Sequence, residues 1–207
     1  MIITAFDVSY SSLGLASFNT YDNTILTKTI KFHSPSSLNK KDIEEFHNIN
    51  HSELDKKEVE EYWKNIRLSK LYKEMKIYSS FSDVIISEKQ FSEVSEVYAL
   101  TRLCSVHEGR LNVFKSYYPS NWRKLLFKRG SFGKEFDIKS FTRDKMNDWL
   151  SKNNIDYQFL NSFDESDAFA LVLTFLIDSG IIDKDSNLDY QISDLNKYIK
   201  VSKKKKK

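Results

Sequence analysis

Asp7, Glu88, Asp164 and Asp167 are the residues whose types and positions suggest chemistry. Asp7 closes the apolar run Ile2-Ile3-Thr4-Ala5-Phe6, and Glu88 closes Val84-Ile85-Ile86-Ser87. Such runs pack as buried strands, and an unpaired carboxylate at the end of one is costly to desolvate. Asp164 and Asp167 open an apolar stretch of helical length. Three residues apart, they share one helix face, in the first turn where the macrodipole favours negative charge. If the four met, they would offer the hard oxygen ligands that suit Mg²⁺. Two such ions roughly 4 Å apart can neutralise a phosphoryl group, activate water and stabilise a leaving oxygen, as phosphodiester hydrolysis requires. Each acid also has a plainer reading: Asp164 as a helix cap, Glu88 as an exposed strand end, Asp7 as a turn residue.

A second group is cationic. Arg123, Lys124, Lys128, Arg129 and Lys134 cluster around Trp122, Phe127 and Phe132. Basic residues interleaved with aromatics suit phosphate contacts plus stacking on unpaired bases. The alternative is a solvated helix face over core aromatics. His47 and His51, four apart, could face a metal, but no cysteine accompanies them. The formal charge of +3 is carried by the terminal Lys203–Lys207, so residues 1–202 sum to −2. An anionic partner must therefore be met by local patches. The lysine tail suits disorder with some electrostatic help to binding.

The elements that must position these groups follow from patterning. Strands are expected over 2–8, 13–18 and 24–32, then a long helix over 55–78, with Val59, Tyr62, Trp63, Ile66, Leu71 and Met75 at helical spacing. A strand over 84–88, a helix over 93–108 stopped by Gly109, and a strand over 111–118 come next. Pro119 opens a short helix, as proline favours the first turn. Helices are expected over 138–152 and 163–179, and a short one over 192–199. Residues 33–54 break the pattern and read as a surface insertion. Three strands, a helix, then alternating strands and helices make an α/β layer architecture with a mixed sheet.

In order, Asp7 with Ser9 and Gly14, Glu88 with Phe91, Pro119 with Arg123, and Asp164-Glu165-Ser166-Asp167-Ala168 resemble the pattern of RuvC-like Holliday junction resolvases of the RNase H-like (retroviral integrase) superfamily. The resemblance covers residues 1–180 and is greatest to the bacteriophage branch, with its poxvirus relatives. It implies an RNase H-like fold, a mixed five-stranded sheet flanked by helices, with 181–207 as a polar extension. It implies a homodimeric endonuclease that resolves four-way junctions and related branched DNA by paired nicks. Asp7, Glu88, Asp164 and Asp167 would be catalytic ligands of Mg²⁺, two ions per site, with Mn²⁺ as a substitute. Phe91 would wedge at the crossover, and Arg123 and Lys139 match basic residues near the phosphate. Two departures stand out: the turn after Asp7 lacks the Pro-Gly of cellular members, and the spacing to Glu88 is longer. Flaps, forks or RNA–DNA hybrids as substrates, or a non-catalytic branched-DNA binding module, remain alternatives.

With 207 residues, 40% hydrophobic residues and a mean hydropathy of −0.51, the chain suits one soluble domain. No run is long and apolar enough to span a bilayer, and the N-terminus lacks a signal-peptide pattern. The lone Cys104 excludes an internal disulfide and a multi-cysteine zinc site. A cytoplasmic setting is expected, that of the host cell if the chain is phage-encoded.

Overall fold

Five of the chain's strands form one sheet. In chain order the elements are β1 (Ile2–Val8), β2 (Ser12–Asn19), β3 (Thr24–Lys31), α1 (Lys56–Ser79), β4 (Val84–Glu88) and α2 (Ser95–Cys104). They continue with β5 (Val106–His107), β6 (Arg110–Leu111), β7 (Val113–Tyr117), α3 (Pro119–Phe127), α4 (Ile138–Lys152) and α5 (Phe163–Asp178). The computed structural model describes residues 1–9, 11–31, 55–89, 95–107, 110–153 and 159–183, with 44, 48, 155, 157 and 195–199 besides. All of 33–54 but 44 and 48, His47 and His51 included, lies outside the described residues, as do Phe91, Gly109 and the lysine tail.

β1 runs antiparallel to β2, and β2 to β3, whereas β4 lies between β1 and β7 and runs parallel to both. The sheet is therefore mixed, as expected. Alternation along each strand sends successive side chains to opposite faces. Ile3 and Ala5 of β1, Ala16 and Phe18 of β2, and Val84 and Ile86 of β4 pack into one core with α3, α4 and α5. Phe6, Val8, Leu13, Leu15 and Ile85 pack into a second core with Leu71 and Met75 of α1 and Val97 and Cys104 of α2. Helix α5 is the centre of the first core: eleven of its sixteen residues are buried, as expected for a helix apolar on nearly all sides.

Two expected boundaries move. The helix expected over 93–108 stops at Cys104, because the Ser105 amide and hydroxyl both donate to the Arg102 carbonyl, at 3.2 and 2.6 Å. The chain then makes the small β5–β6 ribbon, so the last sheet strand begins at Val113 rather than at 111. Near the C-terminus, one turn at Asn196–Tyr198 brings Tyr198 into the first core against Phe136 and Phe141.

Candidate active site

Asp7 and Glu88 end neighbouring parallel strands. Phe6 pairs with Ser87, and one residue further the register sets Asp7 beside Glu88. Both lie on the α5 face by alternation, in line with Ile3-Ala5 and Val84-Ile86. Glu88 is held from the same side: the Trp122 indole N–H of α3 donates to its Oε1 at 2.9 Å. Trp122 itself is almost fully buried, so it fixes one carboxylate oxygen with little freedom.

The other two acids come down from α5. Its N-cap is Ser162, whose hydroxyl accepts the Glu165 amide at 3.0 Å while the Glu165 side chain reaches back to the Ser162 amide. This reciprocal capping box satisfies the helix end. The plainer reading of Asp164 as a cap is thus displaced by Ser162 and Glu165. The Ser162 hydroxyl also meets Thr29 of β3, which pairs with Gly14 of β2, itself paired with Asp7. A Cβ on Gly14 would lie 2.2 Å from the Asp164 carbonyl oxygen. Gly14 therefore lets the first turn of α5 lie directly on the sheet beside Asp7.

The four carboxylates sense one another. Burial pushes the Asp7 carboxyl well above its ordinary range, and the charges of Asp167, Glu88 and Asp164 push it further, against the opposing pull of Lys139. Burial also raises Asp167, to about 7, with Glu88 and Asp164 adding to the rise and Lys139 and Arg123 opposing it. Like charges gathered in a partly desolvated site behave this way. Among the described residues, no three His, Cys, Asp or Glu side chains already stand in a closed metal-binding arrangement. The acids are gathered, not locked. Their oxygen-only chemistry fits a hard divalent cation.

The cationic group divides in two. Arg123 and Lys139 lie within electrostatic reach of Asp167. Arg123 stacks 4.9 Å over the Trp122 ring, and among the described residues its buried Nε has no hydrogen-bond partner. Lys124, Lys128, Arg129 and Lys134 are exposed along the end of α3 and the following loop. Gly130 lets that loop close on α3, since a Cβ there would come within 2.9 Å of the Ser120 carbonyl oxygen. The aromatics beside them are not surface platforms. Trp122 and Phe127 are buried, and the half-buried Phe132 stacks on Phe136 at 4.7 Å against the first core. Their stacking role is corrected to packing, and the cations remain as the exposed part.

No protein-family model matches the chain, and no curated protein matches it by sequence. Solved structures do match by shape. T. thermophilus RuvC in complex with a Holliday junction substrate aligns with 87% of this chain and 96% of its own, at 12% identity and TM-score 0.50. The Fowlpox virus resolvase in complex with substrate Holliday junction DNA aligns with 86% of this chain and 99% of its own, at 16% identity and TM-score 0.51. The fold is that of the RuvC-like resolvases. Within this resolvase fold the acids occupy one end of the sheet, at the carboxyl ends of β1 and β4. No helix among the described residues is long and apolar enough to cross a membrane.

Three supporting roles escaped the reading of the sequence. The Ser162-Phe163-Asp164-Glu165 pattern is a capping-box signature that assigns the cap away from Asp164. Trp122 as the partner of Glu88, and Gly14 as the seat of α5, depend on tertiary approach and have no local signature.

Proposed function

We propose that the chain is a structure-selective DNA endonuclease that resolves four-way junctions and related branched DNA by paired, metal-dependent hydrolysis. The observation that carries this reading is the gathering of Asp7, Glu88, Asp164 and Asp167 on one face of a resolvase fold, with Asp7 and Asp167 raised by burial and by the other acids' charges. These four would hold Mg²⁺, two ions per site, with Mn²⁺ as a substitute. Bound there, the ions supply charge neutralisation at the phosphoryl group and a more acidic attacking water.

The chain's own groups do the rest. Trp122 fixes one oxygen of Glu88 and leaves the other free to bind. Arg123 and Lys139 place positive charge beside the acids, where a phosphate would otherwise be repelled. Lys124, Lys128, Arg129 and Lys134 take backbone phosphates of a DNA arm, an interaction that weakens with salt. A homodimer suits a two-fold symmetric junction, because symmetric nicks need two equivalent sites.

The test compares cleavage of a four-way junction, a flap, a fork and an RNA–DNA hybrid by the purified protein in Mg²⁺ and in Mn²⁺. The junction should be cut fastest, and Asp164→Asn should bind it without cutting. Preference for a flap, fork or hybrid would move the substrate class. Tight, salt-sensitive binding with no cleavage in either metal would replace the enzyme by a binding module.

A further inference from the structure

The mechanism above uses nothing beyond Lys139 on α4, yet that helix continues into a groove of about 440 Å³. Arg143, Asp144, Asn147, Asp148, Phe159 and Lys197 are among the residues that line it. It begins where the acid cluster ends. Arg143 lies one turn along α4 from Lys139, and its guanidinium sits 5.0 Å over the ring of Phe163, the residue preceding Asp164. Asn161 is on the other rim, just ahead of the Ser162 cap, its amide donating to Glu165 Oε2 at 3.2 Å. Groove and acids thus share the first turn of α5.

Phe159 is the unusual member. The residue is 71% exposed, the most of any phenylalanine among the described residues. Its backbone is nonetheless held, because the next residue, Leu160, is buried and clamped twice by Asn147. The Leu160 amide donates to Asn147 Oδ1 at 2.8 Å, and Asn147 Nδ2 donates to the Leu160 carbonyl at 3.3 Å. An apolar ring kept in water on an anchored backbone costs solvation free energy that a ligand recovers. The groove's charged lining is balanced, Arg143 and Lys197 against Asp144 and Asp148. Asp144 accepts the Tyr198 hydroxyl at 2.7 Å and faces Arg143 at 3.7 Å, and Asp148 faces Lys145 at 3.7 Å. Each carboxylate thus already has a partner, so neither is left bare beside Lys197.

We propose that this groove carries the DNA strand leaving the acid cluster, with an unpaired base at the branch point stacked on Phe159 and adjoining phosphates met by Arg143 and Lys197. Stacking on a rigid aromatic is indifferent to base identity, whereas the cations read only the backbone. The groove is therefore a detector of unpairing rather than of sequence. This deepens the junction-nuclease reading and rests on it.

The test measures binding of the full chain to a four-way junction in Ca²⁺, with 2-aminopurine at successive nucleotides from the branch point. Wild-type protein should quench the probe at one position. Phe159→Ala should abolish that quench and weaken binding by about fivefold or more, while Phe159→Trp restores both. Lys197→Ala should make the salt dependence shallower by about one phosphate contact. Tyr21→Ala, an exposed ring at the opposite side of the sheet, should change nothing. Phe159→Ala binding with wild-type affinity, in a wild-type protein that binds and cuts junctions, overturns the groove alone. So does a change of oligomeric state without a change of DNA affinity, since the ring would then face a second copy. Wild-type protein that binds no branched DNA overturns groove and function together.

Discussion

The two faces of the sheet differ in what they ask of their residues. Along β1, Ile3, Ala5 and Asp7 face α5, while Phe6 and Val8 face α1 and α2. The α1–α2 face is a packed layer in which Phe6, Leu71, Met75 and Ile85 are fully buried. On the other face an equally buried layer ends in carboxylates, an indole and cations. One strand thus serves both purposes, with chemistry at its carboxyl end and on one parity only. Changes on one face should cost stability, and changes on the other should cost activity.

The sharpest contrast is between adjacent residues. Asp7→Asn should reduce junction cleavage by more than the roughly 100-fold typical of losing a residue that supports a metal ligand, with urea unfolding showing no loss of stability. Phe6→Ala, next along the strand, should cost about 3–5 kcal/mol in the same unfolding assay. If Asp7→Asn unfolds the protein, or Phe6→Ala leaves its stability intact, the division of labour is wrong.

Trp122 tests how closely the chemical face depends on its packing. Trp122→Phe removes the N–H that holds Glu88 and keeps most of the buried volume. Cleavage at saturating Mg²⁺ should fall roughly 10–100-fold, with a higher Mg²⁺ requirement. An unchanged metal titration would show that Glu88 needs no such support. Gly14→Ala joins the two kinds of effect, since its Cβ overlaps the Asp164 carbonyl. It should destabilise by about 1–3 kcal/mol, as overpacking does, and lower cleavage together with stability. Loss of stability alone would mean that the seat of α5 does not set the position of Asp164.

The smallest effect runs the other way. Asp167 is raised to about 7 in the folded chain, against about 3.9 for an unperturbed aspartate. The unfolded chain therefore releases this proton first. The metal-free folded state keeps its full stability below about pH 4 and loses some of it as pH rises toward 7. Asp167→Asn removes that penalty. In EDTA at pH 7.5 it should raise Tm by about 2–4 °C, the shift of roughly 1 kcal/mol in a domain of this size. The gain should vanish near pH 4. Mg²⁺ should stabilise the wild type at pH 7.5 more than it stabilises the variant, because it relieves the same repulsion.

Patterning explains which parts of this were readable beforehand. β1 and β4 were legible because short β-branched and aromatic runs ending in an acid have few other uses, and α5 because its apolar run is unbroken. The order of strands and helices then implied the mixed sheet. The misplaced end of α2 reflects a local competition: Leu103 and Val106 continue the apolar spacing, but Ser105 closes the turn on Arg102, leaving both residues about half exposed. Trp122 and Phe127 were ambiguous because aromatics between cations suit a core or a nucleic-acid surface equally well, and only burial separates the two. Arg143 and Phe159 are sixteen residues apart and meet only through the α4–α5 packing, so no spacing rule joins them.

The central claim is that the gathered acids cut DNA symmetrically at a branch. Strand-resolved mapping of the cuts on a fixed four-way junction, in Mg²⁺, tests it with wild-type protein and Glu88→Gln side by side. The account predicts paired nicks at symmetry-related positions in two opposing strands for the wild type, and an intact junction that is still bound for Glu88→Gln. Undiminished nicking by Glu88→Gln, or wild-type nicks confined to a single strand, would contradict it.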